Sequence, residues 1–420
     1  MLALSGGAPV RTRPFPSWPV WDHTDEEALL EVLRSGMWGL GGSKVPEFEN
    51  RFAAYHGAKY GVAACNGTVT LQVALTALGV GPGDEVIVPG YTFVATGAAV
   101  LHVGAIPVIV DIDPDTYNID PEAVRSAITP RTKCIIPVHV GGNPADMDAI
   151  MALAEEHGIA VLEDAAQAHG ARIGGRGVGS IGHIGSFSFQ ATKNLNAGEG
   201  GILITDDEEL AALCRAYRNC GRFGGAREPV LGWDFRLTEF QAGLLLSQMN
   251  RLEEQTRLRD ENGRYLAEQL RTVPGIRPLK RLDSVERHAY HLFIFRFSAE
   301  EWGVSLDLFI EALAAEGIPC SRGYVPLYRD PLFVTSGQSC PAAWPGLPNS
   351  LEQRAYRRMH LPNAERASEE AVWIPHYVLL GSRDGMDDVV EAVRKLYNHR
   401  EALAKARGSG KAKRYAGLEG

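Results

Sequence analysis

No run of apolar residues in this 420-residue sequence is long enough to span a bilayer, which takes about 20. The opening segment MLALSGGAPVRTRPFPSWP carries too short an apolar stretch for a signal peptide, and its prolines suit an extended arm. The six cysteines (Cys65, Cys134, Cys214, Cys220, Cys320 and Cys340) show no CxxC and no metal-ligand spacing. They read as reduced, mostly buried thiols of a cytoplasmic protein, and no metal is expected. There is no P-loop and no HExxH. His288 and His291 are expected on opposite faces of a strand, a poor metal pair. GVGSIG, Gly177 to Gly182, spells GxGxxG but precedes the strand-like GSFSF, whereas a dinucleotide fingerprint follows a strand and opens a helix. Basic charge is also in short supply, 42 Lys and Arg against 51 Asp and Glu, for a net charge of −9. That excludes a nucleic-acid scaffold, which needs a concentrated basic surface. The one basic run, Lys405 to Arg414, reads as a flexible solvated tail.

What is present is an ordinary globular composition, 45% hydrophobic and 22% charged, in a chain long enough for one large domain and a smaller one. Thr24 with Glu27 spells a capping box opening DEEALLEVLRSG, and VPEFENRFAAYHG follows as a second helix. TLQVALTALG puts Leu71, Ala74, Leu75 and Leu78 on one helical face. The runs EVIVP, IPVIVDI, KCIIPV, IAVLED, SFSF and GILIT then alternate with helices, the pattern of a mainly parallel sheet buried on both faces. Thr238 and Gln241 cap a helical stretch long enough to leave one domain for the next. Beyond it, HLFIFRF and LDLFIEALAAEG point to a smaller α/β unit. The expected division is an arm over 1–23, a large domain over 24–250, a small domain over 251–400 and a tail over 401–420.

Four stretches could carry chemistry, and each has a bland alternative. Asp164 ends the strand of VLEDAAQAHG at the sheet edge where open α/β folds bind ligands, although a helix N-cap would also use an aspartate there. In ACNGTVTLQVAL, Asn66, Gly67 and Thr68 sit where a strand turns into a helix, which is a ready anion site or a plain turn. Tyr91 and Phe93 in PGYTFVAT could cover a planar ring or simply pack the core. Lys193, in SFSFQATKNLNAGEGG, is a surface lysine or an amine kept for covalent chemistry; Gly198, Gly200 and Gly201 would let the backbone fold closely around its loop. Together with Ser188 these elements converge on an aromatic aldehyde that carries a phosphate. Pyridoxal 5'-phosphate needs a lysine, a carboxylate for its ring nitrogen, phosphate donors and a face to stack on.

The ordered motifs PFPSWP, GGSKVPEFENRFAAYHGA, GVGPGDEVIVPGYTFVAT, PRTKCIIPVHVGG, EDAAQAHGA and SFSFQATKNLNAGEGG resemble the DegT/DnrJ/EryC1/StrS aminotransferases over nearly the whole chain. That resemblance implies the α/β fold of fold-type-I pyridoxal-phosphate enzymes, with a mainly parallel seven-stranded sheet between helices and a smaller C-terminal α/β domain. It implies that Lys193 is the Schiff-base lysine and Asp164 the partner of the ring nitrogen. Gln167 then lies by the phenolic oxygen, Phe93 stacks on the ring, and Gly67, Thr68 and Ser188 contact the phosphate. Asp234, in GWDFRLTE, occupies the place of an asparagine that family members lend to a neighbouring subunit's phosphate. A second anion there is expected to point away or be offset by Arg236. Trp38, Tyr328 and His376 are the expected substrate contacts, Tyr328 standing where relatives often have histidine. A homodimer with shared active sites is implied.

GGAPVRTRPFPSWP and ERASEEAVWIPHYVLL are similar to the branch acting on aminocyclitols. The activity implied is ping-pong transfer of an amino group from L-glutamine or L-glutamate to a keto-cyclitol such as scyllo-inosose, or to a keto-sugar. The 3-amino-5-hydroxybenzoate synthases are also similar, and His376 matches both branches. Related sugar dehydratases carry histidine at the lysine position, against which Lys193 argues.

Overall fold

The computed structural model describes residues 1–223, 229–334 and 356–405, so Cys340 and the basic run beyond Lys405 lie outside the described residues. Short runs rich in β-branched residues form the strands β1 (Tyr60–Ala64), β2 (Glu85–Pro89), β3 (Ile106–Val110), β4 (Thr132–Ile135) and β5 (Ala160–Asp164). The two-residue β6 (Arg172–Ile173) and β7 (Arg176–Gly177) follow, then β8 (Ile184–Ser188) and β9 (Gly201–Thr205). Seven of these make one sheet in the order β1-β9-β8-β5-β4-β2-β3. Only β9 runs antiparallel to its neighbours; the other pairings are parallel. Every residue of β2, β8 and β9 is buried, as a sheet covered on both faces requires. Parallel strands end at one edge, so the segments after β1, β2, β5 and β8 gather there. GVGSIG is the turn between β7 and β8 and opens no helix.

The helices are α1 (His23–Ser35), α2 (Lys44–His56), α3 (Gly67–Ala77), α4 (Val94–His102), α5 (Pro121–Ala127), α6 (Met147–His157), α7 (Glu208–Arg218) and α8 (Glu239–Leu270). α8 opens with the expected capping box of Thr238 and Gln241. α1 does not open where Thr24 and Glu27 predict. Asp22 is its cap and Asp25 the reciprocal partner, each accepting from the other end of the first turn. A carboxylate two residues upstream outcompetes the threonine hydroxyl, and Thr24 lies inside the helix.

α8 packs against α1 and α2 at one end and against the Arg383–Asn398 helix at the other. There a second sheet forms from β10 (Ile276–Pro278), β12 (Leu292–Phe297), β13 (Ser321–Arg322) and β14 (Ala371–Pro375), in the order β10-β12-β14-β13, all antiparallel. β11 (Val285–Arg287) instead joins β6 and β7 in a three-stranded sheet. The core around the four-stranded sheet includes Phe293, Phe295, Phe297, Phe309 and Leu313. His288 and His291 are in the link between β11 and β12 rather than on a strand; His288 stacks on Tyr290 with ring centres 3.7 Å apart.

Among the described residues no helix is long and apolar enough to cross a membrane, and no group of three or more His, Cys, Asp or Glu could hold a metal ion. The five described cysteines are free thiols.

Candidate active site

At the C-terminal edge of the large sheet a cavity of about 470 Å³ is lined by Asn66, Gly67 and Thr68 at the start of α3, Thr92 and Phe93 just before α4, Asp164 at the end of β5 with Gln167 beyond it, Ser188 at the end of β8 with Lys193 and Glu199 beyond it, and Tyr324 from beyond β13. Seven of the sequence-predicted residues meet here: Gly67, Thr68, Phe93, Asp164, Gln167, Ser188 and Lys193.

The floor is built by close approach. Asn66 caps α3 by accepting from the Val69 amide, 3.0 Å. Among the described residues none accepts a hydrogen bond from the amides of Gly67 and Thr68, so two donors of the first turn stay free beside the cavity, at the positive end of the helix dipole. A Cβ on Gly67 would come within 2.6 Å of the Ser188 Cβ, and one on Gly201 within 2.6 Å of the Asn66 carbonyl carbon. Glycine at these two positions lets α3 and the lysine loop touch.

Asp164 is buried, its Oδ2 accepting from Thr96 Oγ1 at 2.9 Å and its Oδ1 from the Ala166 amide at 3.2 Å. Burial raises its pKa against these hydrogen bonds and the nearby Lys193 charge. A cation in front of it would relieve that desolvation. Gln167 is held at both ends: its Oε1 accepts from the Gly141 amide at 2.7 Å and its Nε2 donates to the Tyr324 hydroxyl at 2.8 Å. Phe93 is the N-cap residue of α4 and remains 39% exposed at the cavity wall. Lys193 is half-buried. Desolvation pulls its pKa from 10.5 to about 8 against the opposing charges of Asp164 and Glu199. The Lys193 loop is shaped by Gln190, whose Oε1 accepts from both the amide and the hydroxyl of Thr192. Free amides at a helix start, an aromatic face, a desolvated carboxylate and an amine in one cavity fit a planar cationic ring bearing an aldehyde and a phosphate.

Other predicted residues lie elsewhere. Tyr91 does not cover a ring: it is fully buried against Tyr117, Tyr324 and Trp373, where its bulk supports the wall from behind. Trp38 is 52% exposed, its indole donating to Leu33 O and its ring leaning on Phe240, and it does not line the cavity. Tyr328 is buried among Leu327 and Phe333, with its hydroxyl bonded to Glu365, because the turn over Leu327–Arg329 folds it back onto the core. His376 is buried with its Nε2 3.1 Å from Thr192 O, touching the lysine loop rather than the cavity. Asp234 is ion-paired to Arg236 at 2.6 Å, the expected offset, and lines a separate cavity with Arg215, Arg218 and Arg222.

Sequence reasoning missed Tyr324, Thr96 and Glu199. Thr96 is one helical turn from Thr92, which precedes Phe93. Tyr324 is one turn of chain before Tyr328 and shares its residue type, so no local signal separates the two. Glu199 lies among the glycines of AGEGG, and nothing in that spacing shows which way its carboxylate faces.

The DegT/DnrJ/EryC1/StrS aminotransferase family model matches residues 19–394. A Streptoalloteichus tenebrarius protein provisionally named L-glutamine:3-amino-2,3-dideoxy-scyllo-inosose aminotransferase is 42% identical, over 96% of this chain and 99% of its own. A second protein of that organism, L-glutamine:2-deoxy-scyllo-inosose aminotransferase, is 39% identical over 96% of this chain and 99% of its own. The crystal structure of 3-amino-5-hydroxybenzoic acid synthase superposes with a TM-score of 0.82 at 36% identity, covering 95% of this chain and 100% of that one.

Proposed function

The chain belongs to the DegT/DnrJ/EryC1/StrS aminotransferase family, and on that premise we propose that it moves the amino group of L-glutamine onto a keto-cyclitol such as scyllo-inosose, in the making of an aminocyclitol natural product. It is a pyridoxal-phosphate-dependent aminotransferase of the fold described. The observation that carries the reading is the meeting of Lys193, Asp164 and the free amides of Gly67 and Thr68 in one cavity.

When bound, pyridoxal phosphate supplies an aldehyde carbon that combines with amines and a cationic ring that withdraws electrons from the carbon beside the nitrogen. The amides of Gly67 and Thr68 and the hydroxyl of Ser188 are assigned to its phosphate, the face of Phe93 to its ring, and Gln167 to its phenolic oxygen. Asp164, oriented by Thr96 and the Ala166 amide, keeps the ring nitrogen protonated. Lys193 Nζ is assigned the proton transfer. With a pKa of about 8 it is unprotonated often enough near neutral pH to take a proton at the donor's α-carbon, and protonated often enough to return one. The same amine serves both half-reactions in reverse order.

L-glutamate is the alternative donor and a keto-sugar the alternative acceptor. We assign the working unit as a cytoplasmic homodimer in which Asp234, its charge offset by Arg236, faces the partner's phosphate. Residues 1–23 are assigned to an arm, 24–250 to the large domain, 251–400 to the small domain and 401–420 to a tail, with the domain boundary inside α8. The reading predicts a yellow purified protein whose band bleaches on adding L-glutamine. A yellow protein that neither L-glutamine nor L-glutamate changes would overturn it. The likeness to 3-amino-5-hydroxybenzoic acid synthase supports a second reading, aminotransfer with aromatisation. An aromatic product from a dehydroshikimate analogue, with none from scyllo-inosose, would select it.

A further inference from the structure

The lysine loop is gripped by side chains that do not line the cavity, and they come from four separate parts of the chain. Trp18 of the N-terminal arm donates its Nε1–H to Ala191 O at 3.0 Å. His376, after β14, lies 3.1 Å through Nε2 from Thr192 O, and since a carbonyl only accepts, that nitrogen carries the proton. His291, before β12, meets Asn194 Oδ1 through Nδ1 at 3.2 Å, while Asn194 Nδ2 donates to Ala289 O at 2.8 Å. His169 Nε2 lies 2.9 Å from Ser188 O at the start of the loop. The two carbonyls immediately before Lys193 are thus held by Trp18 and His376. Those two rings also pack edge to face, with centres 4.3 Å apart. Beneath Trp18 the guanidinium of Arg259 lies 5.5 Å from the ring centre, fully buried, with Gln255 its hydrogen-bond partner.

The arm is itself moored to the part of the structure built around the small sheet. Arg11 bonds Asp388 at 2.6 Å and stacks over Phe15, while Glu316 accepts from the amides of Ala3 and Val10. Trp18 therefore ties the small sheet's half of the structure to the loop that carries the amine.

We propose that Trp18 and His376 are positioning residues for aminotransfer: acting through the carbonyls of Ala191 and Thr192, they fix the backbone from which Lys193 reaches the cavity. The proposal rests on the reading of Lys193 as the reacting amine. That amine is set free in each half-reaction and has to return to the same place. The loop between Ser188 and Gly201 has no helix or strand to hold it. A long side chain on an unanchored loop would spread over many positions, and a displacement of about 1 Å costs on the order of 100-fold in rate.

The test uses the full chain with Trp18→Phe, His376→Leu and His376→Gln. Phenylalanine keeps an aromatic ring between His376 and Arg259 but has no N–H. Glutamine offers an amide N–H where His376 donates; leucine offers none. Hydrogen exchange of the loop amides is read on the cofactor-free protein, and the maximal rate and half-saturation of the L-glutamine half-reaction on the loaded one. Trp18→Phe and His376→Leu are expected to speed exchange at Thr192 and Lys193 roughly three- to tenfold. They should lower the maximal rate about tenfold while half-saturation by L-glutamine stays within about twofold. His376→Gln should retain most of both. Unchanged exchange and rate in Trp18→Phe and His376→Leu would overturn the proposal, as would a change in half-saturation alone, which marks a ligand contact. Turnover by Lys193→Ala would overturn the reading of the site, and the proposal with it. An inactive Lys193→Ala beside unmoved Trp18→Phe and His376→Leu overturns the proposal alone.

Discussion

Lys193 titrates low because burial and charge oppose each other around it, and burial wins. Desolvation disfavours the ammonium, while the carboxylates of Asp164 and Glu199 favour it, leaving the pKa at about 8. The amine is therefore increasingly neutral as pH rises through 8. Asp164→Asn removes one of the two opposing charges, so the amine should titrate lower still. In cofactor-free protein the pH dependence of Lys193 modification by an amine reagent, followed by mass spectrometry, reads this directly; an upward shift would contradict the account. Gln167 offers a second residue-scale check. Tyr324→Phe removes the acceptor of its Nε2, leaving a buried amide donor unpaired, which costs about 1–3 kcal/mol. Weaker retention of the cofactor by about tenfold or more is expected, measured by equilibrium dialysis. No sequence pattern distinguished Tyr324 from Tyr328, since each is a tyrosine in the same short stretch, GYVPLYRD. What separates them is which one meets Gln167 and which meets Glu365.

At the scale of elements, the joint between α3 and β8 is where the cavity floor is made. Gly67 meets Ser188 so closely that an added methyl has no room. Gly67→Ala should push the helix start off the strand end, moving the free amides of Gly67 and Thr68. Cofactor binding is predicted to weaken at least tenfold, while far-ultraviolet circular dichroism stays unchanged, because the rest of α3 keeps its Asn66 cap. Equal binding by Gly67→Ala and the parent chain would show that this contact has slack. The helix and strand pattern here was legible because spacing and capping are local: the Thr238–Gln241 box and the buried runs at β2, β5, β8 and β9 stand where the residues place them. The opening of α1 was misplaced for a local reason too, two competing caps within three residues, of which the carboxylate of Asp22 prevails.

For the molecule as a whole, the buried histidines link stability to pH. His56 sits with Nδ1 2.8 Å from Val178 O and its Nε2 accepting from the Gly170 amide at 3.4 Å, which leaves no place for a second proton. Burial lowers its pKa from 6.5 to about 4. His169, His288, His291 and His376 are likewise depressed, chiefly by burial. Between those two values the unfolded chain binds protons that the folded one refuses. For His56 the contribution is therefore complete above pH 6.5 and is lost as the pH falls toward 4, on the order of 3 kcal/mol, and the other four act in the same direction. Urea unfolding midpoints should fall from about pH 7.5 to about pH 5, and His56→Gln should flatten the fall. A midpoint that rises on acidification would contradict this.

The alternation of strands and helices through the large sheet, the family and the cofactor followed from the sequence, because each depends on residues within one short stretch or on the order of such stretches; the assignment of Lys193 as the reacting amine is proposed on the same local reading. Asp164 closes β5 and Lys193 sits in the loop that leaves β8, and parallel strands deliver their ends to one edge. Tertiary structure alone decided which distant surfaces meet. It sent Tyr91 into the core and Tyr328 onto Glu365, left Trp38 outside the cavity, and turned His376 toward the backbone of Thr192. These outcomes rest on packing between segments far apart in the chain, such as Trp18 against His376, and spacing along a sequence carries no measure of that distance.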